Sequence, residues 1–367
     1  MQQKIDIMWL ALALTTMSTL MLGQAPTYPP AIIPGSQQRE LYSEVVKQQY
    51  TLYVHLPMNY GQEERTYPVL YLLDAQWDFS LVTAIYGEQY YDGFLPEMII
   101  VGITWGGEGA DPNYLRARDF IPTHNPSIPQ SGGAAKFLTF IEEELIPFVE
   151  SEYAAGEERA LMGSSFGGLF TLYAFFSKPQ LFRHYVPTSP ATPWDSGSLF
   201  RFAEGFKERS KGLNLRMFAA VGELEGLYGP FKDLMTFFRE KNYPALTLKS
   251  HIVANSGHSG VKAEGNTRGL QFVFNRGDQK LDKAVLERLK GRYIGEKSGN
   301  SFTLAPKGGK LILNEPDGSS RILSAAGEGE FYLHGEFFKI SFEEKGGEID
   351  GLILKQFGSR ERYYKSR

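Results

Sequence analysis

Between residues 48 and 275, apolar and polar positions follow two alternating rhythms. "YTLYVHLP" (50–57) alternates with a period of two, as a half-buried strand does. "YPVLYLLD" (67–74) and "MIIVGITW" (98–105) are nearly continuous apolar runs bounded by turns, the pattern of strands covered on both faces. "AAKFLTFIEEELIPFVESEY" (134–153) instead spaces Phe137, Phe140, Ile141, Leu145 and Phe148 at helical intervals, with acids between them. The alternation continues with a strand over 159–162, a helix over 166–176, a strand over 184–188 and a helix near 199–209. A strand over 215–222, a helix over 230–242 and a strand over 246–253 complete it. This order predicts an α/β fold, a doubly wound and mostly parallel sheet with helices on both faces.

The pattern changes near Gly277. "DKAVLERLKGRYIG" (282–295) reads as a short helix, and from Ser301 only short alternating runs remain, such as "SFTLAP", "KLILNE" and "FFKISFEE". Gly-rich turns such as "PDGSS" and "EKGGE" separate them, which predicts a small all-β domain of antiparallel hairpins over 278–367. The α/β domain then occupies 24–277.

The first residues stand apart. Lys4, an apolar stretch from Ile7 to Leu22, and the small residues Gly23 and Ala25 followed by prolines have the layout of a bacterial-type export signal, cleaved near Gly23. The stretch is shorter than the roughly 20 residues a membrane span needs, and no later segment is a candidate. Hence the expectation of a periplasmic or secreted protein with no membrane span after cleavage.

Composition narrows the chemistry. The chain of 367 residues carries a net charge of −4 and is 22% charged, so it offers no basic field for a phosphate backbone and no nucleic-acid partner is expected. It contains no cysteine, which excludes disulfides, thiol nucleophiles and thiolate metal sites. No His cluster with ligand spacing is visible, and the reading calls for no metal and no cofactor.

The candidate chemistry lies in "RALMGSSFGGLFTLYAFF" (159–176). With 39 glycines in the chain, a G-x-S-x-G match means little by itself. Its setting adds weight, because the motif joins a predicted strand to a predicted helix, where a nucleophile elbow belongs. Ser165 occupies the central position and Ser164 the variable one, and the Phe166 N–H heads the following helix, where an oxyanion would form. A serine hydroxyl needs a base, and in this architecture acid and histidine follow the serine in that order. Of the six histidines, His184 and His251 fall in predicted strands and His334 in the β domain. His258, in the small-residue loop "ANSGHSGV", is free to reach over the strand ends. The acid should follow the preceding strand. "VGELEG" offers Glu225 by its G-x-x-acid spacing, with Glu223 as the alternative.

With these residues in place, the chain resembles the putative-esterase family of α/β hydrolases, which includes enterochelin esterases and esterase D-like enzymes, mycolyltransferases and feruloyl or acetylxylan esterases. The likeness covers about residues 38–275. It rests on "PVLYLLDAQWDF", "RARDFIPT", "RALMGSSFGGLFTLYAFFSKPQLF", "TSPATPWD", "GELE" and "GHSGV". The resemblance implies a second oxyanion donor at the Gln76 N–H, although "DAQW" also reads as an ordinary β-to-α turn. It places Arg116 and Trp194 near the substrate, with "DFIP" standing where the family has "DYTP" and Trp194 equally suited to a core. The tail is similar, more distantly, to the small β domain of some penicillin-binding-type serine hydrolases, which implies a lid, docking or gating part, or a stabilising appendage.

The reading is an exported serine hydrolase that cleaves a carboxylic ester through an acyl-enzyme on Ser165, the substrate being a small-molecule or carbohydrate ester such as a siderophore ester or an acylated or feruloylated sugar. Acyl transfer by the same residues, or a non-catalytic carbohydrate- or surface-binding module, are the alternatives.

Overall fold

Eight strands form one sheet in the order β1-β2-β4-β3-β5-β6-β7-β8, seen in a computed structural model that describes residues 31–62, 64–275, 281–326, 329–333, 335–356 and 359–366. The expected export signal lies outside the described residues. Residues 31–34 belong to an N-terminal unit (Met1–Pro34) and are irregular; everything below concerns the unit Gly35–Arg367.

β1 (Ser36–Ser43) and β2 (Gln48–His55) pair antiparallel, and β2 is antiparallel to β4 (Ile99–Trp105). From β4 onward every pair is parallel: β3 (Tyr67–Leu72), β5 (Ala155–Ser164), β6 (His184–Thr188), β7 (Leu215–Gly222) and β8 (Leu246–Val253). Parallel strands need crossovers, supplied here by helices. These are α1 (Ala75–Tyr91), α2 (Pro112–Phe120), α3 (Ala134–Phe140), α4 (Ile146–Glu152), α5 (Phe166–Ser177), α6 (Tyr228–Lys241) and α7 (Val261–Phe274).

The two apolar runs are buried on both faces, as expected. On β4, Val101 and Ile103 join a core with Phe120, Phe137, Phe140 and Phe170, while the intervening Gly102 faces Ala75 and Phe79 of α1. Period-two alternation thus feeds two helix layers from one strand. The Phe rings interlock, with Phe137 5.0 Å from Phe170 and Tyr50 stacked 4.4 Å from Phe140. Full burial of each such side chain contributes roughly 1.5–3 kcal/mol.

Asp119 fastens α2 to this sheet. One of its buried oxygens accepts from Tyr50 Oη and Trp105 Nε1, both at 2.7 Å, and Arg118 grips the carboxylate with two nitrogens. That anchor fixes the helix that carries Arg116.

Several local expectations change. The 134–153 helix holds a π turn at Ile141–Leu145, whose Glu144 accepts from the backbone of Glu44 and Val45 in the β1–β2 turn. The helix expected near 199–209 breaks into two short turns, Leu199–Phe202 and Phe206–Arg209, separated by Gly205 at φ 70°. The segment 282–295 is helical only over α8 (Lys283–Leu289); "GRYIG" is β9 (Gly291–Gly295), because it pairs with a strand on either side.

Those partners are β10 (Ser301–Lys307) and β16 (Ser359–Ser366). With β11 (Lys310–Asn314), β12 (Ser320–Ala325), β13 (Glu330–Tyr332), β14 (Phe338–Lys345) and β15 (Glu348–Gln356) they close an antiparallel eight-stranded barrel. Tyr293, Leu304, Leu313, Phe331, Ile340 and Leu352 fill its interior, the scale at which eight strands enclose side chains and little else.

The barrel meets the α/β domain at the C-terminal end of α1. Phe337 stacks on Tyr91 (5.6 Å, 14°) and meets Tyr90 edge-on, and the Gly335 N–H donates to Asp92 O at 2.8 Å. Gly93, at φ 74°, sits where a Cβ would come within 2.8 Å of Glu336 O, so only glycine allows this approach. α1 is seventeen residues long, about 25 Å, and this contact lies at the end opposite its first turn. The contact therefore builds no roof over the C-terminal edge of the sheet, where the candidate residues lie.

Candidate active site

The loops that leave the C-terminal ends of the parallel strands carry the sequence candidates, and their backbones are strained. Of the eight non-glycine residues with positive φ among the described residues, Asp74, Ser165, Ser189, Asp195, Ser196 and Asn255 lie in the loops that follow β3, β5, β6 and β8. Such strain persists where the surroundings over-determine a conformation.

Ser165 stands between β5 and α5 with φ 60° and ψ −117°. The turn is sharp enough that a Cβ at Gly163 would lie 2.6 Å from the Gly167 backbone. The Ser165 N–H donates to Thr188 O, and Ser165 O accepts from the Ala191 N–H, both at 3.1 Å. The Phe166 N–H opens α5, where first-turn N–H groups have no intrahelical acceptor and the helix dipole favours negative charge.

Glu225 follows β7 and is buried, while His258 follows β8 and is 44% exposed. His258 Nδ1 and Glu225 Oε2 are 2.5 Å apart. The other carboxylate oxygen accepts from Ser189 Oγ at 2.5 Å and from the Gly222 N–H at 2.6 Å. Glu223 turns away and accepts from the Asn255 N–H. So the structure brings His258 to Glu225, not to Glu223. The stretch Thr188–Ala191 ties this pair to the elbow, since it binds the Ser165 backbone and supplies Ser189.

Asp74 precedes α1 in a left-handed conformation (φ 55°) and is almost wholly buried. Arg116 holds it with two parallel bonds, Nε to Oδ1 at 2.9 Å and Nη2 to Oδ2 at 2.8 Å, and also reaches Ser164 O at 3.4 Å. Its guanidinium lies between Trp77, Phe120 and Phe166, 5.3–5.9 Å from their ring centroids. The resemblance places Arg116 near the substrate; the geometry commits its fork to the scaffold, where it links the α1 entry to the elbow. Gln76 sits in the first turn of α1, so its N–H is unsatisfied within the helix. Its side-chain amide and the Ser164 hydroxyl are buried without a partner among the described residues. Buried polar groups left so are uncommon.

Trp194 donates Nε1–H to Thr123 at 3.1 Å and packs edge-on against Phe166 at 5.6 Å, so it borders the elbow as well as the core. Two apolar side chains flank the same edge in solvent, Trp77 (47% exposed) beside Gln76 and Leu224 (69%) beside Glu225. On the α1–α7 side, Lys262 bonds both oxygens of Asp78 at 2.7 and 3.0 Å, tying the helix after His258 to the one carrying Gln76. Burial raises the Asp78 carboxyl above its usual range, and Lys262 opposes that shift.

His184 pairs with Glu158 and His251 with Glu264, both away from this edge, and His334 lies outside the described residues. Sequence reasoning missed Ser189, Asp74, Asp78 and Lys262. Only the "TSP" and "LLD" blocks pointed to the first two. Together the residues can deprotonate a hydroxyl, hold an imidazolium and hydrogen-bond a developing oxyanion.

The family model described as "Putative esterase" matches residues 43–258 and stops short of the barrel. The chain is 33% identical over 261 residues to the ferri-bacillibactin esterase BesA of Bacillus subtilis, covering 66% of this chain and 88% of that one. A siderophore triacetylfusarinine C esterase of Aspergillus fumigatus is 29% identical over 197 residues, covering 52% and 66%. Among solved structures, the BES protein from Bacillus cereus superimposes with a TM-score of 0.62 at 26% identity, over 68% of this chain and 99% of that one. An IroE-like serine hydrolase from Shewanella oneidensis gives 0.58 at 27% identity, over 66% and 80%. An α/β sheet with this strand order, its candidate residues on the C-terminal edge, and a family match across more than half the chain lead to one conclusion: the protein belongs to the "Putative esterase" family and is a carboxylic ester hydrolase.

Proposed function

We propose that the chain is an exported serine esterase whose nucleophile is Ser165 and whose substrates are siderophore-type esters. The observation that carries the mechanism is the His258–Glu225 pair at 2.5 Å, on the loops after β8 and β7, beside an elbow that holds Ser165 at φ 60°. In this reading Ser165 Oγ attacks the ester carbonyl and His258 Nε2 takes its proton. Glu225 accepts from the Nδ1–H and stabilises the imidazolium. The N–H groups of Phe166 and Gln76 hold the oxyanion. Collapse breaks the C–O bond to the alcohol, which leaves with the proton from Nε2. Water, deprotonated by the same nitrogen, then attacks the acyl-enzyme, releases the acid and regenerates Ser165.

The siderophore assignment is supported by the names of the relatives and by the apolar edge formed by Trp77, Phe166 and Trp194. A fluorophosphonate probe should label the wild type and not Ser165→Ala, and a siderophore trilactone should be cleaved with a higher kcat/KM than p-nitrophenyl acetate or a feruloylated sugar. An unlabelled wild type would remove the serine mechanism, and a preference for the sugar ester would remove the substrate assignment. Export predicts that the mature chain, recovered from the producing cell's periplasm or medium, starts near Gln24; a cytoplasmic chain that retains Met1 would contradict it.

A further inference from the structure

Two buried carboxylates bracket the first turn of α1. Asp74 opens it and Asp78 closes it, since Asp74 O accepts the Asp78 N–H at 3.1 Å. Gln76, which supplies the second oxyanion donor in the proposed mechanism, lies between them. Each carboxylate is answered by a cation from a different helix. Arg116 of α2 holds Asp74 and reaches Ser164 O, which ties the turn to the elbow. Lys262 of α7 bonds both oxygens of Asp78. Lys262 comes four residues after His258, and the chain between them is already wound. The Val261 N–H donates to Gly257 O at 3.2 Å and the Lys262 N–H to Ser259 O at 3.3 Å. The first turn of α1 is thus gripped from the serine side by Arg116 and from the histidine side by Lys262.

The second grip is a poor device for stability alone. The Asp78 side chain is 6% exposed and that of Lys262 20%. Taking both charges out of water offsets most of their attraction, and an apolar pair of similar volume often holds as well. Burial pushes the Asp78 carboxyl above its usual range; Lys262 and Arg116 oppose the rise and Asp74 adds to it. α1 and α7 also have another tie, from Gln271 to Gln89 near their far ends. What the ion pair adds is a fixed geometry at the end of the two helices that is nearer His258, because both of its bonds are directed.

We infer that Lys262 and Asp78 are a positioning pair for ester hydrolysis, holding His258 in register with the oxyanion donor at Gln76. The inference rests on the proposed serine mechanism, in which His258 takes the Ser165 proton while the Gln76 N–H binds the carbonyl oxygen. Base and oxyanion donor must stay within roughly 0.5 Å of the productive geometry. They come from segments far apart in the chain, joined here by one direct bridge between α1 and α7.

The test uses the full chain and a p-nitrophenyl ester. Lys262→Met should lower kcat between about tenfold and a hundredfold with little change in KM, and should slow fluorophosphonate labelling of Ser165 in proportion. Combining Asp78→Leu with Lys262→Met removes both charges and fills the space with apolar groups. In this double variant the urea midpoint should return close to that of the wild type while kcat stays low. A purely structural pair would let kcat recover together with stability. Unchanged kcat in folded Lys262→Met, or recovery of kcat in the double variant, would overturn the inference. Should Lys262→Met not fold, the double variant decides alone. A wild type that hydrolyses the ester yet resists the phosphonate would overturn the serine reading and this inference with it, so labelling of the wild type tells the two failures apart.

Discussion

Ser189 donates its hydroxyl to Glu225 at 2.5 Å from a fully buried position at φ 44°, and the same carboxylate lies 2.5 Å from His258. The acid is therefore held from two sides, by a hydroxyl at the end of β6 and by the Gly222 N–H at the end of β7. Ser189→Ala should lower kcat/KM for a p-nitrophenyl ester about tenfold, the value of one hydrogen bond to a charged group, with the fold retained. Glu225→Gln should cost far more, roughly 10³–10⁴ in kcat. Glu223→Gln should change little; a larger loss there than at Glu225 would reassign the acid.

The Arg116–Asp74 fork predicts a coupled pair. Arg116→Lys keeps the charge and loses the planar two-bond grip, so kcat should fall with little change in KM, because the α1 entry and the elbow move relative to each other. In a double-mutant cycle with Asp74→Asn, the two losses should be non-additive by about 1–3 kcal/mol in both stability and activation free energy. Strict additivity would show that the fork positions nothing.

Asp119 predicts a stability effect with no direct chemical role. It is 1% exposed and joins β2, β4 and α2 through Tyr50, Trp105 and Arg118. Asp119→Ala leaves these donors buried and unanswered, and should cost roughly 3–5 kcal/mol of unfolding free energy in urea. A cost under about 1 kcal/mol would mean that α2 is fixed by packing alone.

His184 predicts a pH dependence separate from catalysis. Burial holds its pKa below the ordinary 6.5, with the Glu158 bond opposing. The unfolded chain therefore takes up the proton more readily than the folded one. Stability from this group is present above pH 6.5 and is lost as pH falls from there through the lowered folded value. Urea denaturation between pH 7.5 and 5 should show stability declining with acid, and His184→Gln should flatten that slope; an unchanged slope would place the titration elsewhere.

Much of the fold was readable from periodicity because strands buried on both faces must be apolar throughout, and helices on one face must repeat near 3.6. β7 matches its expected limits residue for residue for that reason, and so does β8, although it is a half-exposed edge strand. The segments that escaped carry weaker patterns. α1 mixes aromatics and acids around Asp74 and Asp78, which are buried because Arg116 and Lys262 answer them from α2 and α7. A charge that is apolar in effect only through a distant partner has no local signature. β9 reads as helix for a related reason: its strand character comes from β10 and β16, the latter about 70 residues further along the chain.

The chain order of Ser165, Glu225 and His258, and the placement of each at a strand end, followed from sequence, since turn chemistry and strand limits are local. The choice of Glu225 over Glu223 rested there on spacing alone. In the fold Glu225 lies against His258 Nδ1, while Glu223 accepts from the Asn255 N–H instead. Only the folded chain could set Ser189 against the acid and Arg116 against Asp74, or put the barrel at the far end of α1. Those relationships join residues 36–247 positions apart. Which of the many possible long-range pairs forms is decided by packing the whole chain, not by any local run of residues.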